Sequence, residues 1–162
     1  MFSQTAEYAL RAAVALAQQA DIPLTTAQIA EQTKVPAGYL SKVLQSMVRE
    51  GLISAVRGLH GGYRLRREAS ELTILEVINS VDPIQRICSC PLDLPEHADQ
   101  LCTLHRRLDQ AIEQVENALG MTTLDELLGD TTASIPLCQC FSDDKKPSPQ
   151  SVNVHTKRGA AK

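Results

Sequence analysis

The 162-residue chain has no tryptophan and only five aromatic residues, three Tyr and two Phe. Its core must therefore be built from aliphatic side chains, a composition that favours helices rich in Ala and Leu. Long apolar runs are also missing: the longest, Ala12 to Ala17, has six residues, against the roughly 20 needed to span a bilayer. Glu7 and Arg11 break up any signal-peptide pattern near the start, so a cytoplasmic protein without a membrane partner is expected. Cysteine is scarce and odd in number, five in all. With no export signal, that excludes a disulfide framework and leaves thiols for metal or redox chemistry.

Charge is distributed unevenly. Residues 1–70 carry eight basic and five acidic side chains, residues 71–140 three and twelve, and residues 141–162 five and two. Within the first part, residues 41–67 hold six basic residues and one acid, a local field suited to a polyanion.

Apolar periodicity organises the chain. Ala6, Leu10, Val14 and Ala17 recur at helical spacing within residues 3–20. Thr25 and Gln28 have capping-box spacing, which opens a second helix to about Gln32. Pro36 suits the first turn of a third helix, where its missing N–H costs nothing. That helix buries Leu40, Val43, Leu44, Met47 and Val48 and ends at Gly51. The runs 52–57 and 62–67, joined by Gly58-Leu59-His60-Gly61, read as a β-hairpin. Thr73 and Glu76 cap another helix, which stops before Asp82-Pro83. Leu101, Leu104, Leu108, Ala111, Val115 and Ala118 then alternate steps of three and four, widened by Ile112 and Leu119, over a long amphipathic helix ending at Gly120. A short helix capped by Thr122 or Thr123 follows to Leu128, and the polar remainder reads as a disordered tail.

The expected fold is mainly α with a small β-hairpin: a winged helix-turn-helix domain at 1–82 with its wing at 52–67, a cysteine-containing sensor loop at 83–101, a dimerisation helix and short terminal helix at 102–130, and a flexible tail at 131–162. Burying one face of the third helix leaves Ala37, Gly38, Ser41, Lys42 and Gln45 outward near its amino end, the end that meets base edges in the major groove. Ser41, Lys42 and Gln45 can donate to bases or phosphates. Arg57, Arg64, Arg66 and Arg67 flank a flexible hairpin tip that suits a phosphate-tracking or minor-groove wing, with His60 able to touch a phosphate. A solvated basic strand face is the plainer alternative.

SQTAEYALRA, TTAQIAEQT, VPAGYLSKVLQSM, GLISAVRGLHGGYRL and LTILEVINSVD resemble the Rrf2 family of bacterial transcription regulators over residues 2–128, with VRG-x-x-GGY and the Tyr39-Leu40 pair as specific marks. The resemblance implies a homodimer joined through the long helix, with two recognition helices in successive major grooves of a palindromic operator, and most simply a repressor. A stripe packed on its own domain would look similar in sequence. On this reading the DNA-contacting residues are Gly38, Tyr39, Ser41, Lys42, Gln45, Arg57, His60 and Arg64.

The segment 87–105 gathers Cys88, Cys90, Cys102, His97 and His105. Several Rrf2 regulators hold an iron–sulfur cluster here through Cys-x5-Cys-x5-Cys, often followed by x2-His. Cys90 and Cys102 have the outer spacing and His105 the following one, but the middle position is Glu96, a hard oxygen donor where soft thiolate is usual. Cys88, whose thiol in an extended segment would point to the same side as that of Cys90, can complete the set. So can His105, one turn from Cys102, or Glu7, which stands where relatives can supply a carboxylate, in some cases from the partner subunit. A 2Fe-2S cluster is favoured over 4Fe-4S, and no cluster at all remains open. A Cys3His zinc site, a clusterless thiol sensor and plain apolar burial of the cysteines are the alternatives. Cys138 and Cys140 form a second Cys-x-Cys, either a redox pair or a chance feature of the tail, and His97 is a surface loop residue. A thiol–disulfide enzyme would need a thioredoxin-like strand-helix pattern that is missing, so no enzyme is expected. An interaction module that has lost operator binding is the remaining class.

Overall fold

Three helices start with the same reciprocal hydrogen bonds. A threonine hydroxyl accepts from the backbone N–H three residues on, while the Gln or Glu side chain there takes the threonine's own N–H. Thr25 with Gln28, Thr73 with Glu76, and Thr123 with Glu126 open α2 (Thr26–Thr33), α4 (Ile74–Asn79) and α6 (Leu124–Gly129). Each pair satisfies two otherwise orphaned donors. Thr123, not Thr122, caps the last helix; the Thr122 hydroxyl donates back to the Ala118 carbonyl at 3.1 Å. The remaining elements are α1 (Gln4–Gln18), α3 (Ala37–Arg49), β1 (Ile53–Val56), β2 (Gly62–Leu65), a 3-10 turn at Ala69–Glu71, and α5 (Thr103–Met121). The computed structural model describes residues 2–59, 61–90, 100–130 and 137. The expected flexible tail otherwise lies outside the described residues. No helix among them is long and apolar enough to cross a membrane.

The centre is α1. Its expected one-sided stripe gives way to burial all round: Ala12 through Leu16 are five consecutive buried residues, and Ala6 and Ala9 join them, while Leu10 and Ala17 are only partly covered. A stretch that is apolar on every side belongs inside. Alanine lets neighbours approach closely, and α1 packs against α2, α3, α4, α6 and β2. On α3, Leu40, Val43, Leu44 and Met47 are buried and Val48 is half-buried; each fully buried Leu or Met contributes about 1.5–3 kcal/mol relative to exposure. Pro36 stands one position earlier than expected, at the N-cap, where its carbonyl accepts from the N–H groups of Tyr39 and Leu40. Gly51, at φ +78°, ends α3: its N–H reaches Val48 O and the Leu52 N–H reaches Met47 O, both at 3.0 Å, the paired closure a left-handed residue permits.

β1 and β2 pair antiparallel with Ile53 opposite Leu65 and Val56 opposite Gly62. They are shorter than the expected runs, although beyond their ends the Arg66 N–H still donates to the Leu52 carbonyl at 3.0 Å. The hairpin is seated on the helix-turn-helix by a two-way bridge, Leu24 N–H to Tyr63 O at 2.9 Å and Tyr63 N–H to Leu24 O at 2.8 Å. A Cβ at Gly62 would lie 2.5 Å from the Leu24 carbonyl oxygen, so the bridge requires glycine there. A similar exchange, Ile74 N–H to Thr122 O and Leu124 N–H to Leu72 O, locks the start of α4 to the start of α6.

α5 differs from the rest: none of its residues is buried. Leu104, Leu108 and Val115 are 64%, 48% and 43% exposed, and Ala111 and Ala118 are exposed too. Only the widening residues turn inward, with Ile112 half-buried and Leu119 packed on the core. Among the described residues, little therefore covers the stripe. An apolar groove of about 550 Å³ runs beside it, between Phe2, Ile78, the 82–87 segment, Leu108, Ile112 and Val115. Arg86 fastens that segment to α5. Its Nε and Nη2 donate to the two oxygens of Asp109 at 2.7 and 2.6 Å, its Nη1 reaches Glu116 at 3.3 Å, and the Ile87 N–H adds a 3.0 Å bond to Asp109. The hydrogen-bonded Arg86 guanidinium outweighs the opposing effect of burial and holds the Asp109 carboxyl below its ordinary 3.8; the same contacts raise the Arg86 pKa.

Gly62→Ala is expected to lose about 1–3 kcal/mol of unfolding free energy from overpacking. Gly38→Ala, where a Cβ meets nothing within 4 Å, is expected to gain up to about 1 kcal/mol; urea titration reads both. A carboxyl with a depressed folded pKa stabilises above its unfolded value and ceases to as pH falls through the folded one. The melting-temperature gap between wild type and Asp109→Asn should thus be full at pH 7 and close below pH 3.8.

Candidate nucleic-acid interface and cysteine segment

The outward surface of α3 begins at its first turn. Ala37, Gly38, Tyr39, Lys42 and Gln45 are exposed and Ser41 is half-buried. The Ser41 hydroxyl donates to the Ala37 carbonyl at 3.0 Å, which leaves its oxygen free to accept. Open space at Gly38 allows another backbone to come close. Tyr39 has a structural task that its sequence position does not reveal: its hydroxyl lies 3.0 Å from Thr5 Oγ1, and its ring meets that of Tyr8 edge-on with centroids 5.5 Å apart. It joins the start of the recognition helix to α1 while staying 43% exposed.

On the wing, Arg57 and Arg64 are exposed and carry no ion pair among the described residues. Leu59 at the tip is 96% exposed. His60 lies outside the described residues. Arg67, grouped with the wing by its sequence position, is committed elsewhere: Nη2 bonds Glu76 Oε1 at 2.7 Å and Nη1 bonds the Glu71 carbonyl at 3.2 Å. Burial pushes the Glu76 carboxyl up, but the Thr73 N–H, Arg67 and the Thr73 hydroxyl together draw it below its ordinary value. Arg67 thus braces α4 and is not a free phosphate ligand.

In the cysteine segment, Cys102 is the N-cap of α5, and its Sγ lies 3.3 Å from His105 Nδ1. The three-residue spacing does bring these two donors together. Cys88 and Cys90 do not share an environment as an extended strand would require: Cys90 is buried, whereas Cys88 is exposed with its thiol 3.8 Å from the Arg86 carbonyl. None of the three is in a disulfide. Glu7 is engaged by Arg11 at 2.9 Å and borders a groove of about 480 Å³ with Leu10, Val14, Ile74, Leu119, Leu127 and Leu137. Leu119 is seventeen residues along α5 from Cys102, about 25 Å by helical rise, so Glu7 and Cys102 of one chain stand at opposite ends of that helix. No group of three or more metal-capable side chains assembles among the described residues. Glu96, His97, Cys138 and Cys140 lie outside them.

Sequence reasoning passed over Arg86. Its signal was there: it is the only lysine or arginine between Arg67 and Arg106, in a part of the chain with twelve acids.

Residues 2–130 match the Rrf2 family, described as iron-dependent transcriptional regulators. The chain is 29% identical over 131 residues to a protein of Aquifex aeolicus assigned as an HTH-type transcriptional regulator, covering 79% of this chain and 91% of that one. It is 27% identical over 143 residues to the HTH-type transcriptional regulator IscR of Xenorhabdus nematophila, covering 85% of each. Among solved structures it resembles CymR, the global cysteine regulator of B. subtilis, with a TM-score of 0.65, 25% identity, and coverage of 78% of this chain and 95% of that one. An exposed recognition helix, a wing with free arginines and a family match over four fifths of the chain agree: this protein belongs to the Rrf2 family of DNA-binding transcriptional regulators.

Proposed function

We propose that the chain acts as a homodimeric repressor that binds a palindromic operator and whose binding responds to an iron–sulfur cluster held at the head of α5. Gly38, Tyr39, Ser41, Lys42 and Gln45 face the major groove, while Arg57, His60 and Arg64 follow phosphates or enter the minor groove. Cys90 and Cys102 would hold the cluster, with His105, Cys88 or the partner subunit's Glu7 completing the set, and a 2Fe-2S cluster is favoured over 4Fe-4S. When bound, that group supplies a centre whose charge and ligation change with redox state or loss.

The observation that carries this reading is that one helix bears both features: a converging Cys102–His105 pair at its head and an uncovered apolar stripe along its length. A twofold axis perpendicular to α5 makes two copies antiparallel, which brings the Cys102 end of one beside the Glu7 end of the other. This chain's own residues then do the coupling. Arg86 and Asp109 hold the cysteine segment on α5, and the setting of α5 against its twin determines the spacing of the two recognition helices.

A second reading is a clusterless thiol regulator, supported by the likeness to CymR, described as a global cysteine regulator; a zinc-dependent regulator and a non-DNA-binding interaction module complete the range. Anaerobic purification with iron, zinc and acid-labile sulfide counts, repeated on Cys90→Ala and Cys102→Ala, separates the metal cases. Iron with sulfide that is lost in both variants supports the cluster. Iron-free protein with an operator affinity that changes on peroxide treatment moves the assignment to the thiol reading. Against duplexes selected from a random pool, affinity should fall steeply with salt, and Arg57→Ala should weaken it about tenfold, within the ~1–3 kcal/mol of one good base contact. Val115→Asp should shift the protein from dimer to monomer in sedimentation.

A further inference from the structure

Cys88 and Cys90 stand two positions apart, yet the first is exposed and the second is only 5% exposed. Cys90 is buried without belonging to the hydrophobic core around α1, so its shelter depends on how its own segment is seated. That segment is fastened twice. At the end of α4, the Ile84 N–H donates to Asn79 Oδ1 at 3.0 Å. On α5, Asp109 takes three donors: Oδ1 accepts from Arg86 Nε at 2.7 Å and from the Ile87 N–H at 3.0 Å, and Oδ2 accepts from Arg86 Nη2 at 2.6 Å. The Arg86 and Asp109 side chains are 32% and 19% exposed, so water and salt screen this pair less than one at the open surface. Glu116 at 3.3 Å and Glu113 at 3.8 Å extend the seat through Nη1. From Ile87 the chain runs three residues to Cys90, at most about 10 Å when fully extended. The buried thiol is thus tethered close to the fork.

We propose that Arg86 and Asp109 form a latch that decides which thiol of the Cys88-Ser89-Cys90 run can react: closed, it offers Cys88 to soft electrophiles and withholds Cys90, and released, it makes both available. A thiolate sulfur displaces the leaving group of such a reagent along a line that must be open to solvent, so access as well as ionisation sets the rate. Arg86 and Asp109 are positioning residues, acting through the backbone they hold. The fork suits this task because two parallel bonds fix the direction of the guanidinium as well as its distance, and the Ile87 N–H ties the main chain to the same carboxylate. A consequence for the cluster rests on the reading proposed above. With Cys90 as a ligand, a seat that fixes the approach of its sulfur slows loss of the bound group, as residues that orient ligands do at metal sites.

Iodoacetamide labelling of the reduced, chelator-treated, full-length protein, read by site-resolved mass spectrometry, tests the latch. In wild type, Cys88 should be modified roughly tenfold faster than Cys90, because a buried thiol reacts only through local opening; comparable rates overturn the proposal. Asp109→Ala removes all three acceptor contacts and should speed Cys90 by about tenfold while Cys88 stays within about twofold. Asp109→Asn keeps one oxygen for Arg86 Nε and the Ile87 N–H but sets an amide NH2 against Nη2, so its effect should fall between wild type and Asp109→Ala. Hydrogen exchange of the Ala12 to Leu16 amides should keep its wild-type rate. Unchanged Cys90 labelling in Asp109→Ala overturns the latch, and so does a gain matched by faster exchange in α1, which general loosening explains. Should Asp109→Ala fold poorly, Arg86→Lys, which keeps the charge and loses the fork, should speed Cys90 about threefold; no increase overturns the proposal. For the cluster, anaerobic reconstitution with ferrous iron and sulfide is followed by chelator challenge. Asp109→Ala should release iron about tenfold faster than wild type, and equal release removes this consequence. A wild type that takes up neither iron nor sulfide sinks the proposed cluster function, and labelling of the metal-free protein still decides the latch.

Discussion

An apolar stripe that the described residues leave largely open constrains the rest of this molecule. Leu104, Leu108 and Val115 lie on a nineteen-residue helix with no buried residue, and each such side chain gains about 1.5–3 kcal/mol when it leaves water completely. The inward residues of the same helix, Ile112 and Leu119, show that the exposure is selective: one edge anchors α5 to its domain and the neighbouring edge is left open. A second copy presents the same stripe, and pairing like with like about a twofold axis buries both at once. The position of the stripe also places the head of α5, with Cys102 and His105, at the edge of such an interface.

The reading half of the molecule depends on close approach. α1 is central because alanine lets five elements pack on it, and the wing is seated because Gly62 lets β2 exchange hydrogen bonds with Leu24. The glycines of GGY are thus explained by packing before any contact with a ligand is considered. Basic residues sort in the same way. Arg67 is spent on Glu76 and Arg86 on Asp109 and Glu116, whereas Arg57 and Arg64 have no ion pair among the described residues. Composition alone counts all four alike.

The cysteine segment is held from one side by Arg86, whose bidentate bonds to Asp109 sit in a half-buried setting. Such a fork fixes orientation as well as distance, so the chain leading to Cys88 and Cys90 enters with a defined direction along α5. From the other side Cys102 begins the helix itself. Both connections lead to the head of α5.

Local chemistry was legible in the sequence. Two of the three capping boxes, the glycine stop after α3, the hairpin and the Cys102–His105 spacing each depend on residues no more than about a dozen positions apart, where backbone geometry leaves few choices. The winged helix-turn-helix plan and its outward residues on α3 followed from the same periodicities. What depended on distant partners was not legible. That α1 is buried all round from Ala12 to Leu16, that Tyr39 answers Thr5 and Tyr8, that Arg67 belongs to α4, that Arg86 clamps the cysteine segment, and that Cys88 and Cys90 part ways are all consequences of which surfaces meet across the fold. Periodicity identifies an apolar stripe but not what covers it. Only the packed arrangement of α4, α5 and α6 determined which edge of the long helix its own domain takes, leaving the other for a neighbour.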